Sequence, residues 1–218
     1  IHAPHLRDIS IGQKVFPVVS NYLGVPPTIP YLVSWWSLHD RDQARDAQLF
    51  HVDSHDFKWV KLFVYLTDVD ADAGPHVMVR GSHDRALRNE RLAMLNNYDP
   101  EAAQALRTTF RQGERFDDDH VAALFGTESF MSLEGRAGEA FLVDTAAIHK
   151  GLLPEKRDRL VFQALYTSLP TIKTPVSPIP LPGAYRNYAE SAGVAAMPSA
   201  LWKYCNRPVS RDPETETG

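Results

Sequence analysis

Cysteine is almost absent from this sequence. Cys205 is the single cysteine among the 218 residues. One cysteine excludes an internal disulfide framework and a zinc site built from several thiolates, and it fits a reducing compartment. We therefore expect a cytoplasmic protein in which Cys205 is a small, at least half-buried apolar side chain.

Long apolar runs and a surplus of basic charge are also missing. No hydrophobic stretch approaches the length that crosses a membrane. The net charge of −4 and the pI near 6.1 give no electrostatic reason to expect nucleic acid. We expect neither a membrane nor a nucleic acid as partner, and the oligomeric state is not encoded in any visible pattern. Because the sequence opens on Ile1 without a methionine, we expect further residues upstream.

The strand signals fall on both sides of a helical segment. PYLVSWWSL (30–38), WVKLFVYL (59–66) and HVMVRGSH (76–83) are rich in β-branched and aromatic residues, and the last two predict an antiparallel hairpin or something close to it. After the helical segment, ESFMSL, GEAFLVD and RLVFQALYTSL return to strand composition. A short helix ending on Gly24 is predicted before the first strand.

Residues 84–126 predict a helical insertion. Asp99 followed by Pro100 is typical of a helix start, while Gly113 and Gly126 are typical of helix ends. Strands before and after such an insertion predict a mainly β protein with helices: a double-stranded β-helix, the cupin-like jelly roll, with outer helices. The insertion is either a lid over the barrel mouth or a packing layer.

The length predicts one domain spanning 1–218. Five prolines between Pro170 and Pro182 predict an extended strap at the start of the C-terminal segment 170–218. A final helix and a polar tail are predicted to follow it.

QLFHVDSHDF (48–57) is the stretch most suggestive of a metal site. As a helix it would pair His51 with His55, but the zinc-protease pattern requires Glu where Val52 stands. As a strand it places His51 and Asp53 on one face, so that a third ligand must come from elsewhere. His149, which follows the apolar strand GEAFLVDTAAI, is the candidate. Two imidazoles and one carboxylate on one side of Fe(II) leave room for a bidentate oxo-acid and dioxygen.

Two longer runs carry a family resemblance. HVDSHDFKWVKLFVYLTDVDADAGPHVMVRGSH and the later GEAFLVDTAAIHKGLLPEKRDRLVFQALY resemble the phytanoyl-CoA dioxygenase family of Fe(II)- and 2-oxoglutarate-dependent oxygenases, over roughly residues 20 to 166. H-x-D alone is a weak motif. Together with YLTDVD-x-x-x-G-P, the GSH end and the spacing from His149 to Arg159, it is a specific one.

The resemblance implies a site and a reaction. His51, Asp53 and His149 would bind Fe(II), and Arg159 would hold 2-oxoglutarate. With O2 as the second cosubstrate, the expected outcome is hydroxylation of an unactivated C–H bond of a small-molecule metabolite with release of succinate and CO2. Asp53 speaks against a halogenase, since those relatives replace the carboxylate by a small residue.

The role of Arg159 also follows from its chemistry, because a guanidinium forms a bidentate pair with a carboxylate. Arg157, two residues earlier, is the rival for this role and is expected to be solvated. Strand alternation places Lys61, Phe63 and Tyr65 on one face, which we expect to line the cosubstrate pocket.

Other residues have blander interpretations. His55 is expected in a loop, and His76 at the surface or in a structural role. Trp35 or Trp36 could flank a substrate or pack in the core. A jelly-roll binding module without catalysis, and a metal-dependent isomerase or hydrolase, are the alternatives to an oxygenase. No clustered basic site for the phosphates of coenzyme A is evident, which favours a smaller metabolite.

Overall fold

The computed structural model describes residues 4–169. The predicted strap, helix and tail of 170–218, and Cys205 with them, lie outside the described residues. Within these, the helices are α1 Pro4–Ile11, α2 Phe16–Leu23, α3 Arg85–Leu95, α4 Pro100–Gln112 and α5 Asp118–Phe125. The strands are β1 Leu32–Ser37, β2 Trp59–Tyr65, β3 His76–Val79, β4 Phe130–Leu133, β5 Ala140–Val143, β6 His149–Gly151 and β7 Arg159–Thr167. None of the helices in this part of the chain is both long and apolar enough to cross a membrane.

The described residues form two compact units. The first contains 4–33, 55–62 and 162–169, and the second contains 34–54 and 63–161. In the first unit the Tyr166 hydroxyl donates to the Ser10 carbonyl over 2.6 Å, which ties β7 to the end of α1. The prediction of a single domain over the whole chain stays a prediction.

The strands form two sheets. The larger has the order β1-β7-β2-β5, and the smaller has the order β4-β3-β6. The smaller sheet is antiparallel, with His76 opposite Leu133 on one side and opposite Gly151 on the other. Met78 is opposite His149 in the same register.

The inner face of the smaller sheet packs on residues of the larger one within the second unit. Met78 and Leu133 contact a cluster that contains Phe63, Tyr65 and Val161. Such face-to-face packing of two sheets is the construction of a jelly roll.

The helical insertion is a packing layer on the outer face of the smaller sheet. Side chains alternate along a strand, so Val77 and Val79 point away from Met78, and they join a buried cluster with Leu106 and Phe125 of the insertion. The predicted helix ends are confirmed: the Asp99 carboxylate accepts from the Ala102 N–H over 2.9 Å, and α4 and α5 stop at Gly113 and Gly126.

The predicted hairpin is wrong, because β2 and β3 belong to different sheets. The connection between them is too long to force pairing, and it folds on itself instead: the Asp70 carboxylate accepts from the Asp72 N–H over 3.1 Å. Neither α1 nor the three-residue β6 was predicted from the sequence. Both elements are too short to show a clear hydrophobic periodicity.

Gly74 explains the G-P turn of this connection. Its φ of +69° favours glycine, and a Cβ there would lie 2.7 Å from the Pro154 nitrogen and closer still to the Leu152 carbonyl oxygen. The turn therefore packs directly against the backbone that follows β6.

Replacing Gly74 by alanine tests this close approach. Gly138 is a matched control, since its φ is +93° and a Cβ added there would meet no atom within 4 Å. Gly138→Ala should lower the free energy of unfolding by about 1 kcal/mol from backbone strain alone. Gly74→Ala should lower it by roughly 3 kcal/mol or more, because strain and clash combine. Urea denaturation measures both, and equal losses would contradict the packing described.

Candidate metal centre

A pair of backbone hydrogen bonds brings two imidazoles together. The His51 N–H donates to the His149 carbonyl and the His149 N–H donates to the His51 carbonyl, each over 2.9 Å. Residues directly opposite in an antiparallel bridge project their side chains to the same face. The two ring centroids consequently lie 4.2 Å apart. His51 was predicted to lie in a strand, but it forms only this isolated bridge, outside the seven described strands. His149 is the first residue of β6 and does not end the strand before it.

Asp53 is held on the same face by a second backbone contact. Its N–H donates to the Thr145 carbonyl over 2.8 Å, which keeps the chain extended beyond His51. In extended backbone, residues two apart share a face. The carboxylate oxygen Oδ2 lies 3.5 Å from Nε2 of His149.

The three side chains form a compact donor set. One potential ligand atom from each of His51, Asp53 and His149 lies within 4.8 Å of the other two. His51 and His149 are 8% and 3% exposed, and Asp53 is half-buried. The sequence prediction named these residues, and the structure brings them together.

Each imidazole is oriented by a carbonyl two residues before it. Nδ1 of His51 lies 2.9 Å from the Leu49 oxygen, and Nδ1 of His149 lies 2.9 Å from the Ala147 oxygen. A carbonyl only accepts, so Nδ1 donates in both rings, and in a neutral imidazole Nε2 then keeps its lone pair. Two neutral Nε2 atoms and one carboxylate fit a divalent metal such as Fe(II).

Ser82 supports the backbone that leads into His149. Its hydroxyl is fully buried, donates to the Val79 carbonyl and accepts from the Ile148 N–H, each over 2.7 Å. The Val79 N–H in turn donates to the Ile148 carbonyl over 2.9 Å. The serine of the GSH motif is thus a positioning residue, a role that the motif alone did not reveal.

Arg159 is a buried cation in the same unit. It is 5% exposed, and its Nη2 donates to the Ser37 hydroxyl over 3.2 Å. Within residues 4–169 no carboxylate pairs with it. Burial lowers the pKa of the Arg159 guanidinium, and the nearby Tyr65 opposes this only in part. A buried guanidinium of this kind favours an anionic ligand.

Glycine at position 151 makes room for this guanidinium. A Cβ on Gly151 would lie 2.8 Å from Nη2 of Arg159. Gly151 is two residues after His149 on β6, so its missing side chain would point to the same face as the His149 imidazole. Arg159 therefore lies along the inner face that His149 also occupies.

Arg157, the rival, is engaged elsewhere. Its guanidinium pairs with the Asp70 carboxylate, and both side chains are about half exposed. Arg157 was expected to be solvated, and about half of its side chain is exposed.

The predicted pocket-lining residues separate into three cases. Phe63 is buried and stacks on Phe141, with centroids 5.5 Å apart. The Tyr65 hydroxyl donates to the Leu133 carbonyl over 2.6 Å and accepts from the His76 N–H over 3.1 Å, so that it links strands. Lys61 is buried but belongs to the other unit. Their roles toward a cosubstrate stay predictions.

The remaining histidine and tryptophan predictions have different outcomes. His76 is not at the surface: it is 7% exposed, and its ring stacks on that of His149 with centroids 5.4 Å apart. Its isolated position in the sequence gave no signal of this. Trp35 packs against the inner cluster, whereas Trp36 is 54% exposed. His55 belongs to the other unit, where its ring contacts Trp59.

A jelly-roll construction that presents two histidines and a carboxylate on its inner face defines a class of metal-dependent proteins. The sequence profile of the phytanoyl-CoA dioxygenase family matches residues 39–152. This is more than half of the chain, and the chain belongs to that family. The match covers His51, Asp53 and His149. Arg159 lies beyond it, and its role stays a prediction.

A solved structure with bound iron shows the same fold, and others are similar to this chain. EctD from S. alaskensis with bound Fe superposes with a TM-score of 0.53 at 16% identity, over 77% of this chain and 54% of that one. HygX from Streptomyces hygroscopicus with iron has a TM-score of 0.48 at 15% identity, over 75% of this chain and 67% of that one. HygX has also been crystallised with nickel and 2-oxoglutarate. No curated protein matches the chain in sequence. The predictions of an oxygenase family and a jelly-roll fold are confirmed.

Removing the Ser82 hydroxyl should weaken both the fold and the site. Ser82→Ala leaves the buried Ile148 N–H without its acceptor, which should lower the free energy of unfolding by about 1 to 3 kcal/mol. Ser129→Ala is the control, because that hydroxyl donates a single 2.7 Å hydrogen bond to the Phe125 carbonyl at the end of the insertion. Urea denaturation and calorimetric titration with Mn(II) measure the two effects. Unchanged Mn(II) affinity in Ser82→Ala would show that Ser82 does not position His149.

Proposed function

We propose that this protein is an Fe(II)- and 2-oxoglutarate-dependent dioxygenase that hydroxylates a small-molecule metabolite. Iron would be held by His51, Asp53 and His149. Family membership and the donor set support this assignment. The observation that carries it is the buried Arg159 guanidinium, which has no carboxylate partner within the described residues and lies on the face of β6 that presents His149.

The spacing of His149 and Gly151 along β6 suits a five-carbon dicarboxylate. His149 and Gly151 are two residues apart on one strand, a separation of about 7 Å. Arg159 lies beside Gly151, so a ligand that chelates the metal with its 2-oxo acid end can reach the guanidinium with its other carboxylate. A bidentate, charge-assisted pair there would offset the cost of burying Arg159.

Some residues would hold the metal and the cosubstrate, and others would orient the side chains that do so. Bound iron supplies the coupling of O2 reduction to oxidative decarboxylation: 2-oxoglutarate, O2 and R–H give succinate, CO2 and R–OH. The Leu49 and Ala147 carbonyls, which contact Nδ1 of His51 and His149, would leave each Nε2 available to hold the metal. Three protein ligands leave coordination positions for the cosubstrates. Ser37 would orient the guanidinium through its 3.2 Å hydrogen bond.

The metabolite is proposed only as a class. The absence of an evident basic cluster in the sequence favours a substrate without the phosphates of coenzyme A. A cytoplasmic location remains part of the proposal, since Fe(II) and the lone Cys205 both suit a reducing compartment.

Anaerobic titration tests the proposed cosubstrate site. Wild-type protein with Fe(II) should develop a visible metal-to-ligand charge-transfer band as 2-oxoglutarate is added. Arg159→Gln should raise the half-saturating 2-oxoglutarate concentration at least about tenfold, because a charge-assisted pair is lost. Mn(II) affinity measured without cosubstrate should not change.

Arg157→Gln is the matched control. Arg157 lies two residues before Arg159 and carries the same charge, but it belongs to a half-exposed ion pair with Asp70. The 2-oxoglutarate titration of Arg157→Gln should therefore follow that of the wild type. Absence of a band in wild-type protein would favour a non-catalytic module or a metal enzyme without an oxo-acid cosubstrate. Equal effects of the two arginine variants would contradict the role of Arg159.

A further inference from the structure

His76 is a buried imidazole on the inner face of β3. It alternates with Val77, which packs against the insertion, and it shares its face with Met78. The backbone N–H of His76 donates to the Tyr65 hydroxyl over 3.1 Å, and this bond fixes the start of the strand.

The ring of His76 lies between aromatic neighbours and a proposed metal ligand. It is nearly parallel to the His149 ring, at 26° and 5.4 Å between centroids. The Phe63 and Phe141 rings lie 4.9 Å and 5.9 Å from it. Three aromatic rings therefore pack around the buried imidazole of His76.

The register places His76 on the route from metal to guanidinium. His76 is directly opposite Gly151, and a Cβ on Gly151 would lie 2.8 Å from Nη2 of Arg159. On its other side the imidazole stacks on His149. A ligand that joined a metal at His149 to Arg159 would therefore lie beside the His76 ring.

We propose that His76 is a positioning residue for the 2-oxo acid half of the cosubstrate. The inference rests on the proposed function. A neutral imidazole has one N–H donor, and next to His149 this donor would bond an oxygen of the ligand's 2-oxo acid group. The flat ring would at the same time form one wall of the cosubstrate pocket, opposite the gap left by Gly151.

His76→Phe distinguishes the hydrogen-bond donor from the aromatic pocket wall, because phenylalanine keeps an aromatic ring and lacks the imidazole N–H. The half-saturating 2-oxoglutarate concentration for the anaerobic band should rise by about tenfold, the effect of one hydrogen bond. His76→Gln keeps a donor and should stay closer to the wild type than His76→Phe. His76→Leu repeats the test if the phenylalanine variant does not fold. Met78→Leu, a volume-conserving change on the same face, should titrate like the wild type.

A 2-oxo acid without the distal carboxylate locates the contact. With 2-oxovalerate in place of 2-oxoglutarate, the defect of His76→Phe should persist while the defect of Arg159→Gln should disappear. Mn(II) affinity without cosubstrate should be unchanged in His76→Phe.

Three results would overturn the proposal for His76. They are wild-type titration of both His76→Phe and His76→Leu, a loss of Mn(II) affinity that accounts for the whole effect, or a defect that vanishes with 2-oxovalerate. Each is distinct from failure of the proposed function, in which wild-type protein itself gives no band.

Discussion

The reciprocal backbone hydrogen bond between His51 and His149 is the interaction on which the site depends. It joins two segments almost a hundred positions apart in the chain and dictates that both imidazoles emerge on one face. Asp53 lies on the same face because its backbone N–H donates to the carbonyl of Thr145, four residues before His149. The donor set is thus a consequence of backbone pairing, with the side chains only completing it.

The surrounding fold supports the paired backbone of His51 and His149. Ser82 and Val79 bond both backbone groups of Ile148, immediately before His149. The insertion packs on the outer face of the same sheet through residues such as Leu106 and Phe125. The outer helices thereby support the strands that carry the site. The inner face of the same sheet carries His149 and His76 beside Met78 and Leu133. Arg159 is buried beside Gly151, and no carboxylate within residues 4–169 pairs with its guanidinium.

Sequence patterns predicted the features that depend on local chemistry. Asp99, Pro100 and Gly113 mark a helix because capping and backbone preference act within a few residues. H-x-D with a distant histidine could be recognised because the family resemblance supplied the missing long-range pairing. His76 could not, since its place depends on the register of β3 against β6. The hairpin prediction failed for a related reason: β3 pairs with β4 and β6 rather than with β2, and local sequence does not encode these long-range pairings.

A crystal structure grown anaerobically with Mn(II) and 2-oxoglutarate tests the central claim most directly. The account predicts a metal ligated by Nε2 of His51, Nε2 of His149 and the Asp53 carboxylate, with the distal carboxylate of the ligand on Arg159. A metal bound elsewhere, or a ligand whose distal carboxylate avoids Arg159, would contradict it.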